Sequence, residues 1–348
     1  MNTKQQAINI PNQVRAPESF IDQNVAWHYG DPLREQKYLT QFETSVDISN
    51  RGVIRITGKD RKTFLHSLSS QHIEKLKDKE STVSLLLSPS GHIEHELHVI
   101  NNPEEIYLIV ENLSLNPILE FLQKMIFLSQ VEVTDVTNEL ATIFESKREI
   151  HEIYPSWLTP LNYLGEPIKD AGTSAGGDPN KYVPTRPGKF SGREILIPRK
   201  ELENYLLNAN YLAGTWALEA LRIAAGVPRV IIDADHRTIP HEIGLIGNAV
   251  HLEKGCYKGQ ETVARVHNLG KPPRQLVLLH LDGSVNRLPK LKSPVIVDGQ
   301  EVGIVGSSAQ HFELGPIALA MVKAKTQVLL NVAVDEIPAT MQDIVVAQ

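Results

Sequence analysis

The most informative segment of this 348-residue sequence is Lys254-Gly255-Cys256-Tyr257-Lys258-Gly259-Gln260-Glu261. Glycine adopts backbone conformations that are closed to other residues, so the two glycines predict a tight loop that presents the cysteine. The ammonium groups on both sides, and a helix that we expect to begin near Gln260, favour the thiolate over the thiol. The segment therefore predicts an accessible, reactive Cys256. The alternative is a small buried filler, because free cysteine is among the most buried residue types.

A second polar cluster lies in the run Gly91-His92-Ile93-Glu94-His95-Glu96-Leu97-His98. In a strand, alternate side chains share a face, which places His92, Glu94, Glu96 and His98 on one side and Ile93, His95 and Leu97 on the other. One strand with four polar groups rarely completes a metal coordination sphere, so we expect a solvated sheet face and no metal site. His95, between two apolar residues, is either a core histidine with a partner or a group that faces a pocket.

Two further residues interrupt regular elements. Glu194 enters an otherwise apolar strand, where it is either exposed or buried against hydrogen-bond donors. Arg222 shares the polar face of a predicted helix with Thr215 and Glu219, so a solvated or ion-paired arginine is the simplest interpretation.

Composition excludes several classes of protein. The formal net charge of -6 and the pI of about 6.1 argue against nucleic acid as the main partner. A single cysteine allows no intrachain disulfide, which is typical of a reducing compartment. The sequence has no apolar run long enough for a membrane helix, no Walker-type loop and no Cys-x-x-Cys pair. We therefore expect a cytoplasmic protein that has no membrane partner and does not bind nucleic acid directly.

Hydrophobic periodicity predicts an α+β fold. Residues 1–25 are polar and predict a flexible leader. Residues 26–275 read as an α+β core with two parts, about 45–140 and 141–275, and the first part has the strand, helix, strands, helix, strand order of a ferredoxin-like unit. A Gly- and Pro-rich loop is expected around 172–179. Short strands dominate residues 276–348, with a hairpin turn at Asp298-Gly299, and predict a C-terminal β-barrel.

The segment 254–261 resembles the signature of the YgfZ-type folate-binding proteins, which are relatives of the glycine cleavage T-protein (aminomethyltransferase) and assist iron-sulfur enzymes. Other similar stretches are Trp27-His28-Tyr29-Gly30-Asp31-Pro32, Leu87-Ser88-Pro89-Ser90-Gly91, Leu221 to Pro228, Gly299 to Val305 and Ile317 to Ala320, so that the resemblance covers about residues 25–335. It implies three units in a ring around a central hole that holds tetrahydrofolate or a one-carbon derivative.

The resemblance also implies roles for particular residues. Glu194 matches the strand glutamate that grips the pterin, and Arg222 matches the arginine of the following helix. Cys256 and Lys254 would be the catalytic residues that act at the folate. The remaining candidates for contact with the cofactor are His95, Glu96 and Tyr257.

One departure separates the chain from aminomethyl transferases, which carry an aspartate pair where this sequence has His95-Glu96 and lack the cysteine of the motif. The favoured hypothesis is therefore a tetrahydrofolate-binding accessory protein for assembly or repair of iron-sulfur enzymes, including those that modify tRNA. The alternative is a folate-dependent one-carbon transferase or demethylase with Glu96 or His95 as acid-base group. A folate-independent RNA-binding scaffold is disfavoured by the acidic charge.

Overall fold

The computed structural model describes residues 10–18, 20–166, 184–326 and 332–344. Residues 1–9 of the predicted leader, the loop around 172–179 and the last four residues of the predicted barrel segment lie outside them. The α-helices are α1 (Pro32–Gln41), α2 (Arg61–Leu68), α3 (Asn112–Lys124), α4 (Leu202–Leu207), α5 (Thr215–Ala224), α6 (Val230–Asp233) and α7 (Gln260–Leu269).

The strands follow the same order along the chain. They are β1 (Val14–Arg15), β2 (Ala26–His28), β3 (Ser45–Asp47), β4 (Gly52–Thr57), β5 (Ser81–Leu87), β6 (Ile93–Asn101), β7 (Glu105–Val110), β8 (Glu132–Asp135), β9 (Leu140–Glu145), β10 (Ser156–Leu158), β11 (Arg193–Pro198), β12 (Leu212–Ala213), β13 (Arg274–Leu281), β14 (Pro294–Val297), β15 (Gln300–His311), β16 (Gly315–Lys323), β17 (Val332–Val334) and β18 (Ile337–Asp343).

The first sheet has five strands in the order β5-β6-β7-β4-β8, and its described pairings are antiparallel. Helices α2 and α3 connect its strands and pack on one face, where Phe64, Leu65 and Ile118 meet Leu97 in one apolar cluster. The opposite face joins a larger core that includes Val83, Leu85 and barrel residues. The predicted α+β order is confirmed.

The second sheet has the order β10-β11-β9-β3-β12. It includes β3, whose residues 45–47 precede the first sheet in the chain and pair with β9. The predicted division at residue 140 therefore does not follow the sheets, because a pairing between strands nearly a hundred residues apart leaves no local signal in the sequence.

The C-terminal strands close into a six-stranded barrel in the order β13-β16-β15-β14-β17-β18, which confirms the predicted barrel. The turn between β14 and β15 has positive φ at Asp298 (49°) and Gly299 (79°), as a tight two-residue hairpin turn requires. Strand β15 has a bulge between Val305 and Ser308. There the backbone N–H of Ser307 donates to Asp233 Oδ1 at 2.7 Å, which fixes the barrel to α6.

The described part of the predicted leader is packed against the fold. Ile10 and Val25 are buried. Asp22 is also buried and forms a salt bridge with Arg229. The chain is therefore held against the fold at Ile10, Asp22 and Val25, whereas Val14 and Phe20 between them stay exposed.

Candidate functional site

A cleft lies between the two sheets, and the side chains of β6 and β11 face each other across it. Strand β6 contributes Glu94, His95, Glu96 and His98, and β11 contributes Glu194. Further walls come from Trp157, Tyr163, Phe190, Arg51, Glu111, α5 and residues 227–231. The cleft therefore brings together four of the seven predicted site residues: Glu194, Arg222, His95 and Glu96.

A hydrogen bond crosses the cleft between the two sheets. Glu194 is 8% exposed, and its Oε2 lies 2.8 Å from Nδ1 of His98. The His98 ring stacks on Trp157, with ring centroids 3.8 Å apart and planes at 3°. Burial lowers the pKa of His98, but the charge of Glu194 and its hydrogen bond more than offset this, so the pKa lies above its usual value. This direction favours a protonated His98, which would pair with the Glu194 carboxylate across the cleft.

Strand β6 does not alternate regularly, which corrects the predicted faces. A bulge leaves Glu94 without a paired residue between Ile93, opposite Leu87, and His95, opposite Leu86. Because a bulge shifts the alternation by one residue, Ile93 and Leu97 lie in different apolar clusters rather than on one face.

Glu96 and His95 have different surroundings in the cleft. Burial raises the pKa of Glu96, and nearby Glu194 raises it further, while His98 opposes the shift. Burial lowers the pKa of His95, and among the described residues none hydrogen-bonds its buried Nδ1. The cleft therefore holds an acid that retains its proton more readily than a free glutamate, and a histidine that is more readily neutral than usual.

Arg222 lines the cleft, but its donors are directed at the protein. Its Nε and one terminal nitrogen donate to Glu219 at 3.0 and 2.7 Å. The remaining donors reach the Val227 carbonyl at 2.6 Å, Asp233 at 3.0 Å and the Ser307 hydroxyl at 2.6 Å. A guanidinium has five N–H donors, and these five bonds account for them. Arg222 thus connects α5, α6 and the barrel, and has no donor left for a cofactor.

A second arginine supports the same side of the cleft. Arg229 donates to both carboxylate oxygens of Asp22 at 2.8 Å, and to both of Glu111 at 2.7 and 3.0 Å. Arg51 also pairs with Glu111. Burial alone would raise the pKa of Asp22, yet the Arg229 guanidinium holds it well below its usual range. Buried Asp22 and Arg229, together with half-buried Glu111, thereby join the leader to the start of α3.

The predicted motif residues lie outside the cleft lining. Cys256 is exposed, which excludes the buried-filler interpretation. The two flanking ammonium groups have other partners: Lys254 is 2% exposed and donates to the carbonyls of His66 and Ser69, and Lys258 pairs with Glu94 at 3.2 Å. Burial lowers the pKa of Lys254 to about 8. Tyr257 is buried, with the Lys254 ammonium 5.0 Å from its ring centre.

The motif loop is nevertheless held against the turn that begins β6. Gly259 has a φ of +85°, and a Cβ there would lie 2.6 Å from the Ser88 carbonyl oxygen and 2.9 Å from Gly91 Cα. Gly91 also has positive φ, at +77°. Both glycines are therefore required by this close approach, and together with the Lys258–Glu94 pair they join the Cys256 loop to a strand of the cleft.

The hydrogen bond of His98 with Glu194 and its stacking on Trp157 could not be predicted from local sequence patterns. His98 was grouped with a solvated face, and Trp157 lies in a segment with no clear pattern. The available signal was a charged residue in each of two buried strands, His98 in β6 and Glu194 in β11, because buried charges are normally paired.

The His98–Glu194 pair is expected to make stability depend on pH. Folding raises the pKa of His98. The pair therefore contributes its full stabilisation of the folded state below the ordinary histidine pKa of about 6.5, and this stabilisation is lost as the pH rises through the pKa of His98 in the folded protein. The difference in the free energy of unfolding between wild type and His98→Gln should therefore be largest in mildly acidic solution and shrink as the pH rises beyond about 6.5. Urea titrations at several pH values measure it. A difference that is constant with pH would contradict the ion pair.

The described residues contain neither a metal-binding cluster nor a membrane-spanning helix. In the ranges 10–18, 20–166, 184–326 and 332–344, no three His, Cys, Asp or Glu side chains are grouped to hold a metal ion. Over the same ranges, no helix combines the length and apolar character that crossing a membrane requires.

Comparisons with known proteins agree with this architecture. Residues 11–144 match the GCVT N-terminal domain. A putative chloroplastic transferase of Arabidopsis thaliana is 28% identical over 78% of this chain and 64% of its own length. An aminomethyltransferase of Streptomyces avermitilis is 27% identical over 88% of this chain and 85% of its own. The aminomethyltransferase T of the glycine cleavage system from Bartonella henselae superposes with a TM-score of 0.74 at 17% identity, covering 95% of this chain and 93% of that one. The chain is thus related to the glycine cleavage T-proteins and has their fold.

Proposed function

We propose that the chain binds tetrahydrofolate, or a one-carbon derivative of it, in the cleft between the two sheets. The observation that carries the proposal is the buried Glu194 carboxylate, which faces Glu96 and His98 across the cleft. A carboxylate accepts the paired N–H donors of a pterin edge, and Trp157 offers an aromatic wall. The resemblance of the sequence to folate-binding relatives of the T-protein supports the same ligand.

The side chains of the cleft suit this ligand chemically, but the cleft is small. Glu194 has a second carboxylate oxygen beyond the one that His98 binds. The cavity volume is about 100 Å³, below the about 300 to 1,000 Å³ of ordinary ligand sites. Binding therefore requires side chains of the cleft wall to move apart. When bound, tetrahydrofolate supplies a carrier for one-carbon groups, and Glu194 and Glu96 would hold it.

The wider role that we propose is assistance to the assembly or repair of iron-sulfur enzymes, including enzymes that modify tRNA, in the cytoplasm. This part rests on the resemblance of residues 254–261 and on the exposure of Cys256. The loop can present its thiol to a client protein while its glycine contact with the start of β6 keeps it next to the folate cleft. Direct contact with nucleic acid is not part of the proposal.

Cys256→Ala separates a chemical role from a structural one. Because Cys256 is exposed, we expect the free energy of unfolding to change by no more than about 0.5 kcal/mol. We also expect the variant to lose its ability to restore iron-sulfur enzyme activity in a strain that lacks this protein. Full rescue by Cys256→Ala would remove the thiol from the mechanism. Ser67→Ala, which removes one exposed hydroxyl on α2, is the control and should rescue fully.

A one-carbon transferase or demethylase is the second candidate, and Glu96 is the observation that favours it. Burial raises the pKa of Glu96, which favours a protonated group that could act as a general acid. Relatives of the chain are named aminomethyltransferases. Folate-dependent release of ammonia, measured with the other components of glycine cleavage, distinguishes the candidates, because only a transferase would sustain turnover.

A further inference from the structure

A larger groove lies on the other side of the wall that bounds the cleft. Trp157 faces the cleft, and its indole N–H donates to the Thr82 carbonyl at 2.9 Å. Thr82, its neighbour Val83 and Leu158 line the groove instead, whose volume is about 740 Å³. Ligand sites commonly measure about 300 to 1,000 Å³. The groove thus has the size of a small-molecule site, and the proposed folate function does not use it.

The charge of the groove is opposite to that of the whole chain. Its lining includes Lys75, Lys77, Lys79 and Arg148, and Glu80 is its only carboxylate among the described residues. The chain as a whole carries a formal charge of -6. Such a local reversal favours an anionic ligand, because clustered charge of one sign in a concave site concentrates ions of the other.

A buried positive charge lies behind the groove wall. His72 and His251 line the groove, with ring centroids 5.3 Å apart, and His66 lies 4.6 Å from His72 on the inner side. The Lys254 ammonium donates to the His66 carbonyl. Burial, followed by the charge of Lys254, lowers the pKa of His66 to about 4. Lys254, which the motif singles out, thus adds its charge to the groove side of the molecule.

Part of the remaining lining is apolar, beside the polar side chains of Gln71, Ser81, Thr82 and Asn248. Leu76, Val83, Leu158, Pro160 and Leu161 form this part of the wall. A purely ionic ligand such as a polycarboxylate would leave this surface without a partner. A ligand with a planar or apolar body and several negative charges would use both parts of the groove.

We propose that this groove binds a small phosphate-bearing ligand of the nucleotide class, with the phosphates on the lysines and the base on the apolar wall. A nucleic acid strand fits the surface less well. Exposed Glu74, Asp78 and Glu80 alternate with the lysines, so the positive surface ends at the groove, whereas a nucleic acid site needs an extended basic stripe. The ligand site is independent of the folate cleft.

The test uses the full-length protein and calorimetry with ATP in magnesium-free buffer. We expect saturable binding of ATP, tighter than that of tripolyphosphate because the base adds apolar contact. The triple variant Lys75→Gln, Lys77→Gln, Lys79→Gln should weaken ATP binding at least about tenfold, since it removes charge-assisted contacts to phosphate. The control triple Lys200→Gln, Lys290→Gln, Lys292→Gln makes the same change of net charge at exposed positions elsewhere and should leave binding within about threefold.

Four results would overturn the proposal. These are no saturable ATP binding at millimolar concentration, equal weakening by both triple variants, citrate binding as tightly as ATP, and a short single-stranded RNA binding more tightly than ATP. Glu194→Gln should leave ATP affinity unchanged. Failure of this proposal is therefore distinguishable from failure of the folate proposal.

Discussion

Replacing Arg229 by Met is expected to lower the free energy of unfolding by about 3 to 5 kcal/mol, the usual cost of removing one partner from a buried ion pair. Arg229 is 5% exposed and forms four hydrogen bonds to Asp22 and Glu111. Methionine fills much of the space but leaves the buried Asp22 carboxylate beside a neutral side chain, while the half-buried Glu111 keeps its pair with Arg51. Urea unfolding followed by circular dichroism measures the change.

Arg287→Met is the matched control for this experiment. Arg287 also pairs with an aspartate, Asp335, at 2.9 Å, but its side chain is 41% exposed. Exposed ion pairs contribute about 0 to 1 kcal/mol, because water screens them. A loss at Arg229 no larger than the loss at Arg287 would show that the buried network does not hold the leader and α3 together.

Replacing Glu194 by Gln is expected to weaken tetrahydrofolate binding by about 1 to 3 kcal/mol, a factor of about 5 to 150 in Kd. A glutamine side chain at this position keeps the size of the glutamate, but its amide N–H₂ group repels part of the donor pair that a carboxylate accepts. Calorimetry under reducing conditions measures the affinity. An unchanged Kd would remove Glu194 from the site.

The control for the Glu194 experiment is Glu132→Gln, which makes the same chemical change at an exposed position on β8, the edge strand of the first sheet. It should leave the Kd within about twofold, since a distant exposed charge is screened by salt. Equal weakening by both variants would attribute the effect to net charge rather than to contact with the ligand.

Local patterns predicted much of the fold. Alternation and helical periodicity are properties of neighbouring residues, so the first sheet, its two helices and the turn at Asp298-Gly299 could be read directly from the sequence. The presence of Glu194, Glu96 and His95 at one cleft followed from the resemblance rather than from spacing. Their placement at one cleft depends on the packing of two sheets, and no single segment of the sequence specifies that packing.

Long-range partners explain the parts that could not be predicted. Arg222 was expected at the cofactor, but its donors are taken by residues as distant in sequence as Ser307. Lys254 was expected beside the thiol, but its side chain turns inward to carbonyls at the end of α2. The basic groove combines segments around residues 71–83, 148–161 and 247–251. Each of these depends on the folded arrangement of distant segments.

The bulge of β15 limits which C-terminal barrels can be exchanged between related proteins. Ser307 binds both Asp233 and Arg222, and a Cβ at Gly306 would overlap the Asp233 carboxylate. A barrel transplanted from a relative would therefore have to bring a small residue at 306 and a hydroxyl at 307, matched to the aspartate of the recipient. Exchanging the barrel alone for one without this hydroxyl and bulge would take one hydrogen-bond partner each from the buried Arg222 and Asp233, which would keep only each other and their remaining partners.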